Sequence, residues 1–136
     1  MAFTVMIRDE TAAGDVVHEH PLELPSERIS VRDLIRERVY QEVQDFNQRQ
    51  HEQIFRGLVQ PTDAERVVNA GRPEFHLKQR RQIEWKPQFE KAQEAFMRNG
   101  FFILIDDRQA VELEEEFDVG PGTQISFVKL TLLVGG

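Results

Sequence analysis

The sequence predicts one α+β domain over residues 1–136, ordered as ββα, an inserted helical segment and a β-rich C-terminal part. Three observations predict it. Apolar residues alternate with period two near both ends of the chain, as strands with one buried face require. A long stripe of apolar residues at helical spacing starts behind a capping serine at Ser30. The chain, 136 residues without cysteine, is long enough to bury a core that needs neither disulfides nor metals.

Phe3, Val5 and Ile7 alternate with Ala2, Thr4, Met6 and Arg8, which predicts a first strand starting almost at Met1. The polar stretch from Asp9 to Asp15, with Gly14 free to take positive φ, is expected to turn the chain into a second run carrying Val16, Val17, Leu22 and Leu24. Pro21 lies inside that run. A proline has no amide hydrogen for the ladder and is tolerated only at a strand edge or end, so the second strand is expected to be short.

The central helix follows. Ser30 is its expected N-cap and Asp33 stands three positions on, while Ile29 and Leu34 have the spacing of a hydrophobic staple. Val31, Leu34, Ile35, Val39, Val43 and Phe46 share one face, and Arg32, Arg36, Glu37 and Gln44 fall on the other. From Asn47 the pattern turns polar, and residues 47–100 are expected to form a helical insertion between the central helix and the third strand. Within it Thr62 and Glu65 have capping-box spacing, with Gly71 as a C-terminal stop. A further helix begins near Pro87, presents Phe89, Ala92 and Phe96 on one face and stops at Asn99-Gly100.

The last third returns to strand patterning. Phe101 to Ile105 is a short apolar run, Asp106-Asp107-Arg108 a polar turn, and Val111 and Leu113 alternate beyond it, which predicts a hairpin. After the turn Gly120-Pro121-Gly122, the run Ile125 to Leu132 is rich in β-formers and predicts the final strand. Residues 134–136 are then expected to form a flexible tail.

A net charge of −7 and a pI near 5.1 would repel phosphate backbones, so nucleic acid is not an expected partner. Lack of cysteine removes a thiol nucleophile and thiolate metal sites; any thioester chemistry must belong to a partner. No apolar run reaches the length of a membrane span, no signal peptide is recognisable, and the cytoplasm is the expected compartment. No G-x-S-x-G, P-loop or G-x-G-x-x-G occurs, so the chain is not expected to be an enzyme.

Two blocks resemble the ubiquitin-like β-grasp superfamily, and especially its sulfur-carrier branch, the molybdopterin synthase small subunit and the thiamine sulfur carrier. Ile29-Ser30-Val31-Arg32-Asp33-Leu34-Ile35 resembles the start of the family's central helix. In the stretch Phe101 to Gly136, Asp106-Asp107-Arg108 resembles its hairpin turn and Gly122-Thr123-Gln124-Ile125-Ser126-Phe127 the approach to its last strand, with Gly135-Gly136 closing the match. The segment from Asn47 to Gly100 has no counterpart in the small carriers. Val128 to Val134 lacks the prolines that often precede the carriers' terminal glycines and is more similar to the tail of ubiquitin-type modifiers.

The resemblance implies that Gly136 is the reacting residue, preceded by Gly135, with Leu132, Leu133 and Val134 recognised by an activating enzyme that uses ATP. Paired glycines lack Cβ atoms and can thread a narrow channel. The implied function is a protein modifier, conjugated to a target amine through an activating and a conjugating enzyme. Two alternatives are a sulfur carrier whose thiocarboxylate supplies a synthase in cofactor biosynthesis, and a non-covalent interaction module with an inert tail. Lys78, Lys86, Lys91 and Lys129 are the candidate acceptors for chains of the modifier.

Other constellations have plainer readings. His18 and His20 share a strand face and form half of a metal site, but no third ligand is apparent and no metal is expected. His76, Lys78, Arg80, Arg81 and Lys86, interleaved with Leu77, Ile83 and Trp85, are expected to face solvent, an acidic partner or the chain's own acidic stretch from Glu112 to Asp118. Asp106-Asp107 and Glu114-Glu115-Glu116 suit a solvated turn and edge better than acid catalysis.

Overall fold

A computed structural model describes residues 3–49, 57–61, 64–69, 72–77 and 82–129, with side chains left aside at residue 3 and at 64–69 and 72–77. It is α+β, with a mixed five-stranded sheet and two helices among the described residues. The elements are β1 (Phe3–Thr11), β2 (Val16–Leu24), β3 (Arg28–Ser30), α1 (Val31–Gln48), β4 (Ala64–Asn69), β5 (Arg72–Leu77), α2 (Trp85–Met97), β6 (Phe101–Ile105), β7 (Arg108–Ala110), β8 (Glu116–Asp118) and β9 (Ile125–Lys129). They fall into two compact units, Met1–Glu37 with Gln93–Gly136, and Arg38–Ala92.

In the first unit the sheet order is β2-β1-β9-β6-β7. β1 is antiparallel to β2 and parallel to β9, and β6 is antiparallel to both β9 and β7. The last strand among the described residues is therefore the middle strand of its sheet. Alternation carries the buried face: Val5 and Ile7 are buried while Thr4 and Met6 are exposed, and Leu22 and Leu24 are buried on either side of the exposed Glu23. Pro21 does not shorten its strand: β2 runs over nine residues with the proline inside it, which an edge strand tolerates. Asp9, assigned by its polarity to the first turn, lies instead within β1. It is only 5% exposed, because it continues the inward register of Val5 and Ile7. The turn proper is Thr11 to Asp15, closed by the Thr11 and Gly14 amides donating to the Asp15 and Thr11 carbonyls, with Gly14 at φ +93°.

The start of α1 satisfies its orphan donors one by one. The Val31 and Arg32 amides donate to the carbonyls of Glu115 and Leu113, both at 2.9 Å, and the Asp33 amide donates to Ser30 Oγ at 3.1 Å. Ser30 is thus the N-cap. Val31, Leu34, Ile35, Val39, Val43 and Phe46 are all buried, as their spacing predicts. The end of α2 is equally explicit: Asn99 takes φ +61°, its amide donates to the Phe96 carbonyl, and the Gly100 amide donates to the Ala95 carbonyl at 2.7 Å. This is a Schellman motif. A Cβ at residue 100 would come within 3.1 Å of that carbonyl, which explains the glycine.

Segment 47–100 is not all helical. Where Thr62, Glu65 and Gly71 predicted a helix, Ala64–Asn69 and Arg72–Leu77 form an antiparallel hairpin, with Asn69 opposite Arg72. Val67, Val68 and Phe75 are strand formers, and a capping-box spacing without an apolar helical stripe behind it does not make a helix. Two three-residue strands were also not expected: β3 pairs with β8, Ile29 opposite Phe117, both buried. Finally, the second arm of the β6–β7 hairpin ends at Ala110, leaving Val111 exposed rather than in a strand with Leu113.

The second unit is organised differently. Its irregular segments are tied by side chains of the helices to backbone groups. Asn47 Nδ2 donates to the Ile83 carbonyl at 2.9 Å while the Ile83 amide donates to Asn47 Oδ1 at 2.8 Å. The Leu58 amide donates to Glu42 Oε1 at 2.9 Å, and Gln88 Nε2 donates to the Val59 carbonyl at 3.0 Å. Arg38, 1% exposed, pairs with Glu42 at 3.3 Å within α1. Tyr40, Trp85 and Phe89 form an aromatic run, the first two edge to face at 5.4 Å. No helix among the described residues is long and apolar enough to cross a membrane.

Candidate functional site

The residues implied as reactive or recognised, Leu132, Leu133, Val134, Gly135 and Gly136, lie outside the described residues, as does the acceptor candidate Lys78. What is described is the strand from which they continue. β9 is flanked on both sides, by β1 with Thr11 opposite Lys129, and by β6 with Phe101 opposite Lys129. Ile125 and Phe127 are fully buried, and the Phe127 ring stands 6.1 Å from that of Phe101. A middle strand paired along both edges is a rigid base for whatever follows it.

At the Lys129 end of β9 the sheet carries a charge cluster on its inward face. Asp9 Oδ2, on a side chain 7% exposed, lies 3.8 Å from Lys129 Nζ and 4.0 Å from His20 Nε2. A carboxylate removed from water needs compensating charge or hydrogen bonds, and the Lys129 ammonium supplies charge here. The Val5, Ile7, Asp9 alternation was the signal that could have placed Asp9 in the sheet; its polarity outweighed the period.

The remaining lysines differ in engagement. Lys91 Nζ donates to the Gln60 carbonyl at 2.6 Å, whereas Lys86 is exposed in the first turn of α2, with Nζ 6.0 Å from the Trp85 ring. His18 and His20 do share a face of β2, with ring centroids 4.9 Å apart. Among the described residues no group of three or more His, Asp or Glu side chains could hold a metal.

The acidic stretch has partners within its own unit. Arg28 donates to Glu116 at 3.1 Å and to Asp118 at 2.9 Å, Arg32 donates to Glu114 and to Gln93, and Arg108 donates to Glu115. Arg28 is thereby held above its ordinary pKa, first by the hydrogen bond to Asp118 and then by that to Glu116. The Glu115 carboxyl is held below its ordinary value, chiefly by the Val111 amide at 3.1 Å and then by Arg108, against the opposing effect of partial burial. The run thus fastens the residue 112–118 segment to the elements beside it, while Glu112, Glu114, Glu116 and Asp118 stay exposed. Of the basic cluster, Lys78, Arg80 and Arg81 lie outside the described residues. No protein-family model, curated protein or solved structure matches the chain.

Proposed function

We propose that the chain is a ubiquitin-like β-grasp modifier whose Gly136 carboxylate is adenylated by an activating enzyme and transferred to an amine of a target protein. The observation that carries this reading is the position of β9: central, antiparallel to β6, parallel to β1, with the sequence running on from it to Gly135-Gly136. The order β2-β1-β9-β6-β7, with α1 between its second and third strands in sequence, is the arrangement expected of a β-grasp sheet, and it supports the resemblance seen at both ends of the chain.

The chemistry follows from the electrophile. A carboxylate oxygen attacks the α-phosphorus of ATP and pyrophosphate leaves, giving an acyl adenylate. A partner thiolate then displaces AMP to form a thioester. The target amine attacks the acyl carbon, the C–S bond breaks, and the amine's proton passes to a base. This chain has no thiol, so every thioester in the sequence is formed on a partner's cysteine.

The test is an incubation of the full chain with ATP, an adenylating enzyme and a lysate from its own source, read by pyrophosphate release, intact mass and covalent products. Pyrophosphate release followed by amide-linked conjugates supports the modifier. A mass gain matching exchange of oxygen for sulfur replaces it with the sulfur carrier, and no adenylate or covalent product leaves the non-covalent module. Deleting Gly136 should abolish product formation without changing the thermal transition.

A further inference from the structure

Of the chain's three asparagines, Asn47, Asn69 and Asn99, only Asn99 precedes a glycine. It is exposed, at φ +61°, between the end of α2 and the start of β6. We propose that Asn99-Gly100 is a self-modification site, at which the asparagine cyclises to a succinimide and opens to aspartate and isoaspartate, and that the hydrogen bonds ending α2 set its rate.

Fold and chemistry ask for the same two residues. A position at φ +61° favours glycine or asparagine. Residue 100 must lack a Cβ, because one would stand 3.1 Å from the Ala95 carbonyl oxygen. A glycine after asparagine is also the residue whose backbone nitrogen reaches the side-chain carbonyl with least obstruction. Among the described residues the Asn99 side chain makes no hydrogen bond, so nothing holds its amide away from the next peptide. Asn47 differs on both counts: Gln48 follows it, and its amide is held by both backbone groups of Ile83.

The Gly100 nitrogen loses its proton to a base and attacks Asn99 Cγ. The N–Cγ bond forms, the Cγ–Nδ2 bond breaks, and the leaving nitrogen takes up a proton and departs as ammonia. Water then opens the ring. Addition at Cγ gives aspartate, and addition at the main-chain carbonyl gives isoaspartate, whose backbone runs through the side chain.

The fold restrains the first event. The proton to be lost is bonded to the Ala95 carbonyl at 2.7 Å, and cyclisation turns the Gly100 N–H away from that oxygen. Helix ends open locally more often than a chain unfolds, so opening of this motif admits the reaction. Its effect reaches the sheet. Both products place a carboxylate beside the C-terminal carbonyls of α2, against the helix dipole. Isoaspartate also adds a methylene before Phe101, which pairs with Lys129 across the ladder and whose ring stands 5.9 Å from that of Phe96.

The site stands whether or not Gly136 is activated, because it uses no residue of the tail. The test incubates the full chain in mildly alkaline buffer, with and without denaturing urea. Peptide mapping that separates aspartate from isoaspartate follows the mass gain of an amide NH2 replaced by OH. Product at residue 99 is expected, forming at least about tenfold faster in urea, where the motif is lost. Urea too dilute to unfold the sheet should raise the rate in parallel with hydrogen exchange at the Gly100 amide. Asn99→Gly suits the left-handed position and should abolish the product at this site while the chain stays folded. No product at residue 99 in urea, equal rates in the two arms, or a rate indifferent to Gly100 exchange would overturn the proposal.

Discussion

The two compact units reach the same end, satisfied backbone and a buried core, by different means. In Met1–Glu37 with Gln93–Gly136 the backbone groups pair along a five-stranded ladder and the apolar face follows from period-two alternation. In Arg38–Ala92 the segments around Leu58 and Ile83 belong to no strand, and polar side chains on the helices stand in for a neighbouring strand. Buried backbone groups must be paired wherever they are; what differs is whether the ladder or a side chain does it. Tolerance to substitution should differ accordingly: an apolar truncation is the gravest injury to the first unit, and a polar one to the second.

Phe127→Ala should have the largest effect. Phe127 is 0% exposed in the middle strand, and truncating such a ring costs about 3–5 kcal/mol through lost transfer energy and a residual cavity. A drop in the urea midpoint at unchanged slope measures it. A loss below about 1 kcal/mol would mean that the sheet core repacks freely and is not the organising element.

Asn47→Ala comes next. It removes both hydrogen bonds to Ile83, a residue 4% exposed, and leaves its amide and carbonyl without their partner. About 2–3 kcal/mol is expected, and hydrogen exchange at the Ile83 amide should accelerate. Unchanged protection there would show that water replaces the side chain and that the second unit does not depend on such clamps.

What the sequence made legible follows the same division. α1 could be read because its stripe persists from Val31 to Phe46 with a cap in front, and β1, β2 and β6 because alternation or an apolar run persisted for several residues. The Asp106-Asp107 turn could be read from two residues that tolerate positive φ. β3 and β8 could not: three residues each are too few to show a period, and the acidic side chains of Glu116 and Asp118 hid the buried Phe117 between them. The β4–β5 hairpin was masked by a helix-like spacing of Thr62 and Glu65. The clamps of the second unit join residues 36 positions apart in the chain for Asn47 and Ile83, and no local pattern encodes that.

A smaller effect should appear with pH. Because the Glu115 carboxyl is held below its ordinary value near 4.5, it contributes stability above that value, and the contribution is lost as pH falls through the lowered one. The urea midpoint should decline as pH falls below that ordinary value, and Glu115→Gln should flatten part of that slope. An identical slope in the variant would mean that the 112–118 fastening adds nothing to the first unit beyond its ladder.

The smallest effect expected is a gain. Asp106 and Asp107 have φ of +49° and +70° and join Ile105 to Arg108, the geometry of a type I′ turn, in which glycine is favoured at the second position. Asp107 is exposed, so Asp107→Gly should relieve left-handed strain and raise stability by about 0.5 kcal/mol, after subtracting the greater freedom of glycine in the unfolded chain. The same change at Asp106 should have the opposite sign. Asp106 Oδ1 accepts the Gln124 amide at 2.9 Å, while its own amide donates to the Gln124 carbonyl, so its side chain fixes the approach to β9. Losing that acceptor costs about 1 kcal/mol, more than the strain it relieves. Thermal midpoints moving up for Asp107→Gly and down for Asp106→Gly would show that side chains can stand in for backbone partners even within the sheet unit. Two shifts of the same sign would mean that the Asp106 side chain does not fix the approach to β9.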